Sequence, residues 1–394
     1  MKKKIKIASF LHSLNSRDGG IPRSVVDQNL YFIYNKKYSA TIINLDDNAK
    51  IPEGIKKIKY ITLHKSIFKS LKFFGLNRFN VNIDLFFWLL KNKNNYDVFI
   101  FHGLWDFKNI LARIILKKNY YIFFHGALDP YEKKTLFKYF KKKVYWFLFE
   151  KKNLLNAKKV LLTTILEKKL AKKTFVNTEG IKFEVTNYGI FSLKNKQDLA
   201  TNAFNKKFPF LRNKKYYLFL GRIDEKKGLD IAVQSINLLG DNFKGLFVIA
   251  GDYKNSCGLK IVELIKKLKL ENKILLLGHV EYYLKSIVIT NSKAMILSSH
   301  AENFAISLVE SLSCARPVLT TYKVNIFNKI LNYKAGYVAQ ENPISFSKII
   351  SKFEALNSKE ELQMSINASK CFNNEFNLAN KKYLIPSLEN NLNE

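Results

Sequence analysis

Four charged residues stand at spacings that could do chemistry. Arg222 and Lys227 lie five positions apart in Gly221-Arg222-Ile223-Asp224-Glu225-Lys226-Lys227-Gly228, directly after the apolar run Tyr216–Leu220. A glycine that turns the chain out of a strand, then Arg and Lys, sets two cations at one sheet edge. Such a pair can hold a diphosphate, whose charge grows as a leaving group departs. A solvated basic turn is the plain alternative in a chain this rich in lysine. The two acids are Glu302 and Glu310, in a stretch that opens Ser298-Ser299-His300-Ala301-Glu302-Asn303-Phe304. Glu302 falls in the loop after a strand, and a helix beginning near Asn303 turns its N–H groups toward the same edge, where they suit phosphate oxygens. Glu310 comes two turns later, about 12 Å along the axis. There it could accept the hydroxyls of a ribose while Glu302 faces a sugar. Two exposed acids on a surface helix are the alternative.

The first half offers histidine and glycine. Tyr121-Ile122-Phe123-Phe124-His125-Gly126-Ala127-Leu128-Asp129-Pro130 carries a strand into His-Gly, and His102-Gly103 ends the preceding strand in the same way. His125 is the first candidate for an active-site histidine at the sheet's edge, and His102 is its rival. Gly19-Gly20 follows the first strand, where bare backbone can approach a ligand closely. Several chemistries are excluded. Neither half has the Gly-x-Gly-x-x-Gly of a dinucleotide site. Asp46-Asp47 is not the Asp-x-Asp of a metal-dependent sugar transferase, and no His, Cys, Asp or Glu cluster has metal-ligand spacing. Cys257, Cys314 and Cys371 are scattered and suit a reducing compartment.

These residues need elements to position them. The chain of 394 residues suits two domains. Apolar β-rich runs alternate with segments of helical period, the pattern of parallel α/β sheets. Strands are expected at 5–10, 40–44, 58–62, 98–102, 120–125, 160–163 and 183–186. After a polar, Lys/Asn-rich stretch at 191–215, read as a linker, they resume at 216–220, 246–250, 274–277, 294–297, 317–320 and 337–339. Helices are expected near 23–36, 80–94, 106–117 and 130–156, then at 228–239, 258–268, 304–314, 343–355 and 358–371. This alternation alone does not separate a sugar transferase from a two-domain dehydrogenase or binding protein.

The formal net charge of +34 is carried almost wholly by lysine. Only seven of the 66 basic residues are arginine, and Lys, Asn, Ile, Phe and Tyr are abundant together. Compositional drift on solvated faces and an anionic membrane surface both remain open readings. Nucleic acid is disfavoured, because bidentate reading of bases and phosphates favours arginine. No apolar run is long enough for a spanning helix, and the opening Met1–Phe10 reads as a strand interrupted by Lys6, not a secretory leader.

Taken together, Gly-Arg and Lys-Gly after a strand, Ser-x-x-x-Glu-Asn-Phe some 70 residues on, a second Glu eight residues later, and Pro317-Val318 on the next strand resemble glycosyltransferase family 4. The strand-His-Gly-x-Leu-Asp-Pro segment, Tyr145-Trp146, Glu150, Glu167 and Gly19-Gly20 agree with it. The resemblance implies a GT-B fold, two Rossmann-like α/β domains facing each other across a crevice. The N-terminal, acceptor-side domain is expected at 1–200 and the nucleotide-sugar donor domain at 201–374, with a C-terminal helix in 375–394 crossing back. It also implies a retaining, metal-independent hexosyltransferase with no cofactor beyond its nucleotide-diphosphate-sugar donor. The acceptor would be a saccharide or lipid-linked saccharide in bacterial-type surface polysaccharide or glycan biosynthesis. By the same likeness Arg222 and Lys227 grip the donor diphosphate, Glu310 the ribose and Glu302 the sugar. Asn303 and Phe304 lend backbone N–H groups, Gly19 and Gly20 approach the donor, and His125 sits beside the transferred sugar. Ala305 and Ala315 stand where the family usually has glycine, the latter read as a packing change, and Asn187-Tyr188-Gly189 replaces Asn-Gly. A catalytically inactive nucleotide-sugar-binding protein and, further behind, a basic nucleic-acid-binding α/β protein are the alternatives. The expected location is the cytoplasm, with the inner membrane face as an open question. Two segments mix lysines and aromatics as a peripheral membrane contact would, 65–79 and 133–152; an ordinary amphipathic helix is the alternative for each.

Overall fold

Two sets of short, Ile/Val/Phe-rich runs assemble into two parallel sheets in the computed structural model of the protein. The structure describes residues 3–15, 19–46, 49, 55–63, 82–131, 136–174, 178–193, 198–382 and 384–390. The expected basic-aromatic segment 65–79 lies outside them, as does the beginning of 133–152. The chain divides into two compact units, residues 1–188 with 381–394 and residues 189–380.

In the first unit the strands are β1 (Ile5–Leu11), β2 (Tyr38–Asn44), β3 (Lys59–Thr62), β4 (Val98–His102), β5 (Tyr121–Phe123), β6 (Lys159–Leu162) and β7 (Phe183–Val185). They lie in the order β3-β2-β1-β4-β5-β6-β7. Between them run α1 (Gly20–Tyr34), α2 (Ile83–Asn92), α3 (Phe107–Leu111), α4 (Leu136–Tyr145), α5 (Lys151–Asn156) and α6 (Ile165–Thr174). Strands buried on both faces read as unbroken apolar runs, and β4, Val-Phe-Ile-Phe-His, is buried at every residue. Phe10 of β1 stacks on Phe101 of β4 with ring centroids 4.4 Å apart.

The second unit opens with α7 (Asp198–Lys207) and continues through β8 (Tyr216–Leu220), α8 (Leu229–Leu239), β9 (Phe247–Ala250), α9 (Ser256–Lys267), β10 (Ile274–Gly278), α10 (Lys285–Thr290) and β11 (Ser292–Leu297). Then follow α11 (Ile306–Ser313), β12 (Val318–Thr321), α12 (Phe327–Asn332), β13 (Gly336–Ala339), α13 (Pro343–Glu354) and α14 (Ser358–Cys371). Its strand order is β10-β9-β8-β11-β12-β13. The chain then returns to the first unit, where α15 (Pro386–Asn390) lies. There Asn187 N–H donates to Leu384 O at 2.9 Å and Ser387 N–H to Glu184 Oε1 at 2.9 Å.

Three elements differ from the sequence reading. The stretch read as a linker contains α7 and a 3₁₀ turn at Pro209–Leu211, because Phe204, Phe208 and Leu211 are buried and give it a helical face. The expected helix 130–156 is two helices joined by a π turn, Trp146–Glu150, which brings both Trp146 and Glu150 to full burial. A second π turn, Ala112–Leu116, ends the helix expected over 106–117.

Candidate functional site

Each sheet reverses its winding direction between two neighbouring strands, β1 and β4 in the first unit and β8 and β11 in the second. Ligands in open α/β sheets bind outside the carboxyl ends of strands at such a point. The candidate residues leave the strands there: Gly221 follows β8, Ser298 follows β11, and His102 ends β4.

In the second unit the two charged segments are stitched together. Ser298 Oγ donates to Gly228 O at 2.5 Å, and His300 N–H donates to Lys226 O at 2.9 Å. A Cβ at Gly228, whose φ is 62°, would lie 2.1 Å from Ser298 O; only glycine suits this left-handed, close approach. The contact delivers Lys227 to Glu302, and their side chains form an ion pair. Burial alone would raise the Glu302 carboxyl; the Lys227 ammonium, with Lys226 and Arg222 behind it, outweighs that and holds it below the usual carboxylate range. The Glu302 backbone is itself fixed, its N–H donating to Lys323 O at 2.9 Å and its carbonyl accepting from Asn325 N–H at 3.0 Å. Arg222 stands clear of this pair, its side chain 60% exposed and 3.8 Å from Asp224 Oδ2.

The helix after Glu302 starts later than its sequence suggests. Helix α11 begins at Ile306, with Ala305 as N-cap, so Asn303 and Phe304 precede it. Phe304 is buried edge-on to Phe376, with centroids 5.5 Å apart. Ala305 has φ 52° and ψ 64°, and Ala315, just beyond the helix end, has φ 57°. Both alanines thus hold left-handed backbone, and the change at Ala315 is one of conformation, not of packing. Glu310 is 1% exposed, which removes the reading of two exposed acids on a surface helix. Each of its oxygens lies 3.0 Å from Lys285 Nζ. Lys285, in α10, has no sequence signal of its own; the fold alone supplies it as the counter-ion.

In the first unit His102 and His125 are one constellation. His102 pairs with Phe123 across β4 and β5, and the chain then turns at His125 and Gly126, with φ values of 50° and 80°. His102 Nδ1 and His125 Nε2 are 2.9 Å apart and share one hydrogen bond. The His125 ring stacks on Phe123 at 4.3 Å, and Tyr188 Oη lies 3.5 Å from its Nδ1. Burial drives both imidazoles well below their usual range, and His125 and Lys108 add to this at His102. Both are neutral at pH 7, so each ring carries one N–H donor and one acceptor nitrogen. Glu167 fixes the turn: its Oε1 accepts from Gly126 N–H at 2.5 Å, while Oε2 accepts from Thr163 N–H at 2.6 Å and Oγ1 at 2.7 Å. Tyr188 had no role in the sequence reading. Gly19, φ 99°, is the N-cap of α1, and Gly20 is its first residue. Among the described residues no three His, Cys, Asp or Glu side chains converge as a metal would need.

Known proteins resemble this chain at both levels. Residues 201–370 match the family model for glycosyl transferases group 1. An α-1,3/1,6-mannosyltransferase, ALG2, of Dictyostelium discoideum is 25% identical over 260 residues, 58% of this chain and 60% of its own length. The capsular polysaccharide biosynthesis glycosyltransferase CapM of Staphylococcus aureus is 25% identical over 216 residues, 53% of this chain and 52% of its own. The match thus spans less than two thirds of either relative. Anabaena Alr3699/HepE, solved in complex with UDP and glucose, superposes with a TM-score of 0.71 at 13% identity over 99% of both chains. Residues 201–370 are thus similar to the glycosyl transferases group 1 family, and the chain as a whole has a GT-B fold.

Proposed function

We propose that this protein is a retaining glycosyltransferase that moves a hexosyl group from a nucleotide-diphosphate sugar to a saccharide or lipid-linked saccharide, in the building of a surface polysaccharide. The observation that carries the reading is the joined pair of loops after β8 and β11, with Arg222 exposed, Lys227 on Glu302, and Glu310 buried on Lys285. Two cations and two oriented carboxylates suit the parts of such a donor, a diphosphate with a ribose on one side and a sugar on the other. Relatives named as a mannosyltransferase and a capsular polysaccharide glycosyltransferase support the substrate class.

In the reaction, the bond from the anomeric carbon to the diphosphate oxygen breaks as the acceptor oxygen bonds to the same face. The acceptor's proton passes to the departing diphosphate. No carboxylate nucleophile is required, and the protein's work is orientation and stabilisation of charge on the leaving group by Arg222 and Lys227. Glu302 would orient the sugar, Glu310 the ribose, and the first-turn N–H groups of α11 would face phosphate oxygens. His125, its ring set by His102 and its turn by Glu167, would serve the transferred sugar, with Gly19 and Gly20 approaching the donor. Peripheral contact with an anionic membrane surface completes the reading; among the described residues no helix is long and apolar enough to cross a membrane.

A donor screen tests it, with uridine-, guanosine- and adenosine-diphosphate sugars in the presence of a strong chelator. One donor should be turned over without added metal. Arg222→Ala and Lys227→Ala should each lower turnover by about 10²–10³-fold at saturating donor, with circular dichroism unchanged. Near wild-type turnover in either variant, or a strict need for Mg²⁺ or Mn²⁺, would refute the corresponding part.

A further inference from the structure

The second unit has a feature at the edge opposite Gly221 and Ser298. Strands β8, β11 and β12 are parallel neighbours, so their first residues meet at one edge. Lys215 immediately precedes β8, Lys293 is the second residue of β11, and Arg316 stands two residues before β12. These three cations line a small cavity of about 80 Å³, partly open to solvent, together with Pro317, Phe353, Glu361 and Ser365. With Glu361 the lining acid, three positive charges less one negative leave a formal +2.

Arg316 is the telling member. Its Nε is buried and has no hydrogen-bond acceptor among the described residues. A buried donor left unsatisfied costs about 1–3 kcal/mol, more when charged, so such a group needs an explanation. Burial also lowers the Arg316 and Lys215 values, and the two like charges compound this at Lys215. Compositional drift accounts poorly for it, since drift in this chain supplies lysine and only seven arginines exist. A guanidinium fork flanked by two ammonium groups and the Ser365 hydroxyl matches one chemical class, a tetrahedral phosphoryl dianion.

We infer that this cavity is a second anion site, taking the phosphoryl group of a small phosphorylated molecule. It is independent of the donor reading and lies at the far end of the same strands. The site would take inorganic phosphate or the phosphoryl end of a compact monoester, with Arg316, Lys215 and Lys293 lining it.

Calorimetric titration with inorganic phosphate, at ionic strength balanced with sodium chloride, tests it. The starting chain carries Arg222→Ala and Lys227→Ala, so the donor-side cations do not contribute. One site is expected, weakened about 10-fold by Arg316→Gln. The variant Lys215→Gln/Lys293→Gln should weaken it similarly, and it leaves Arg316 in place should Arg316→Gln fail to fold. The charge-matched Lys266→Gln/Lys267→Gln variant, exposed on α9, should bind as the starting chain does. Vesicles bearing phosphatidate serve as a second arm. Arg316-dependent binding to them, with none to free phosphate, would assign the same site to a lipid headgroup. Binding to neither probe, or an equal loss in the charge-matched control, would overturn the site.

Discussion

Lys227 and Glu302 neutralise one another in this structure, so a diphosphate arriving at Lys227 must compete with a carboxylate. Glu302→Gln removes that competitor and keeps the side chain's shape. Bare nucleoside diphosphate should therefore bind as tightly as to wild type or more tightly, while transfer falls by about 10²-fold because the sugar loses its orienting carboxylate. Calorimetry beside a turnover assay separates the two effects; weaker diphosphate binding would assign Glu302 to the phosphates instead. The histidine pair makes a prediction of a different kind. The folded values of His102 and His125 lie below the ordinary 6.5, so the unfolded chain takes up protons first. Their contribution to stability is whole above about pH 6.5 and is lost as pH falls toward the folded values. His102, buried at 3% exposure, should account for about 1–2 kcal/mol of the loss between pH 7 and pH 5. Denaturant unfolding at both pH values should show this slope in wild type and a flatter one in His102→Gln. Equal slopes would mean that the imidazole remains protonatable in the fold.

At the scale of elements, α11 is closed at both ends by alanine in left-handed backbone. Alanine there is strained by about 1–2 kcal/mol, and glycine concedes about 0.4–1 kcal/mol of that to its freer unfolded chain. Ala305→Gly and Ala315→Gly should each stabilise the second unit by about 0.5–1 kcal/mol, seen as a higher denaturant midpoint with unchanged slope. A lower midpoint would show that the methyl groups' packing outweighs the strain. This detail also marks what could be read from residues alone. The runs that became β4 and β8 were legible because strands buried on both faces leave an unbroken apolar signature, and Gly-Arg after β8 and Glu302 after β11 followed from that. Lys285 and Tyr188 were not legible, because each reaches its partner through tertiary packing, 25 residues from Glu310 and 63 from His125. The π turns were missed for a related reason. One extra residue in a helical turn leaves the apolar spacing almost unchanged, and only the burial of Trp146 and Glu150 reveals it. The helix α7 was hidden by composition, since Phe204, Phe208 and Leu211 are few among lysine and asparagine.

The whole molecule returns the question of its +34 charge. In the first unit α2, the π turn 112–116 and the α4–α5 segment are successive neighbours. Their exposed apolar side chains include Phe87, Leu90, Ile114, Phe140, Val144, Phe147 and Leu148, with Phe87 at 60% and Phe140 at 65% exposure. Lys91, Lys141, Lys143, Lys151 and Lys152 lie on the same elements. Apolar groups that enter an interface, ringed by lysines that meet headgroups, are the composition of a peripheral contact with anionic lipid. Each lysine near such a surface contributes up to about 1 kcal/mol, and salt should release the protein because exposed charges are screened beyond about 8 Å at 0.15 M. Drift makes a different prediction: weak binding that follows total charge and ignores position. Two variants of equal net charge separate them, one with Lys141, Lys143, Lys151 and Lys152 changed to Gln, the other with Lys254, Lys260, Lys266 and Lys267 changed. Co-sedimentation with phosphatidylglycerol-containing vesicles should collapse in the first and persist in the second. Phe140→Ser/Phe147→Ser should weaken binding at unchanged charge and leave more of the remainder salt-sensitive. Equal loss in the two lysine variants would return the charge to drift and leave the membrane contact without support.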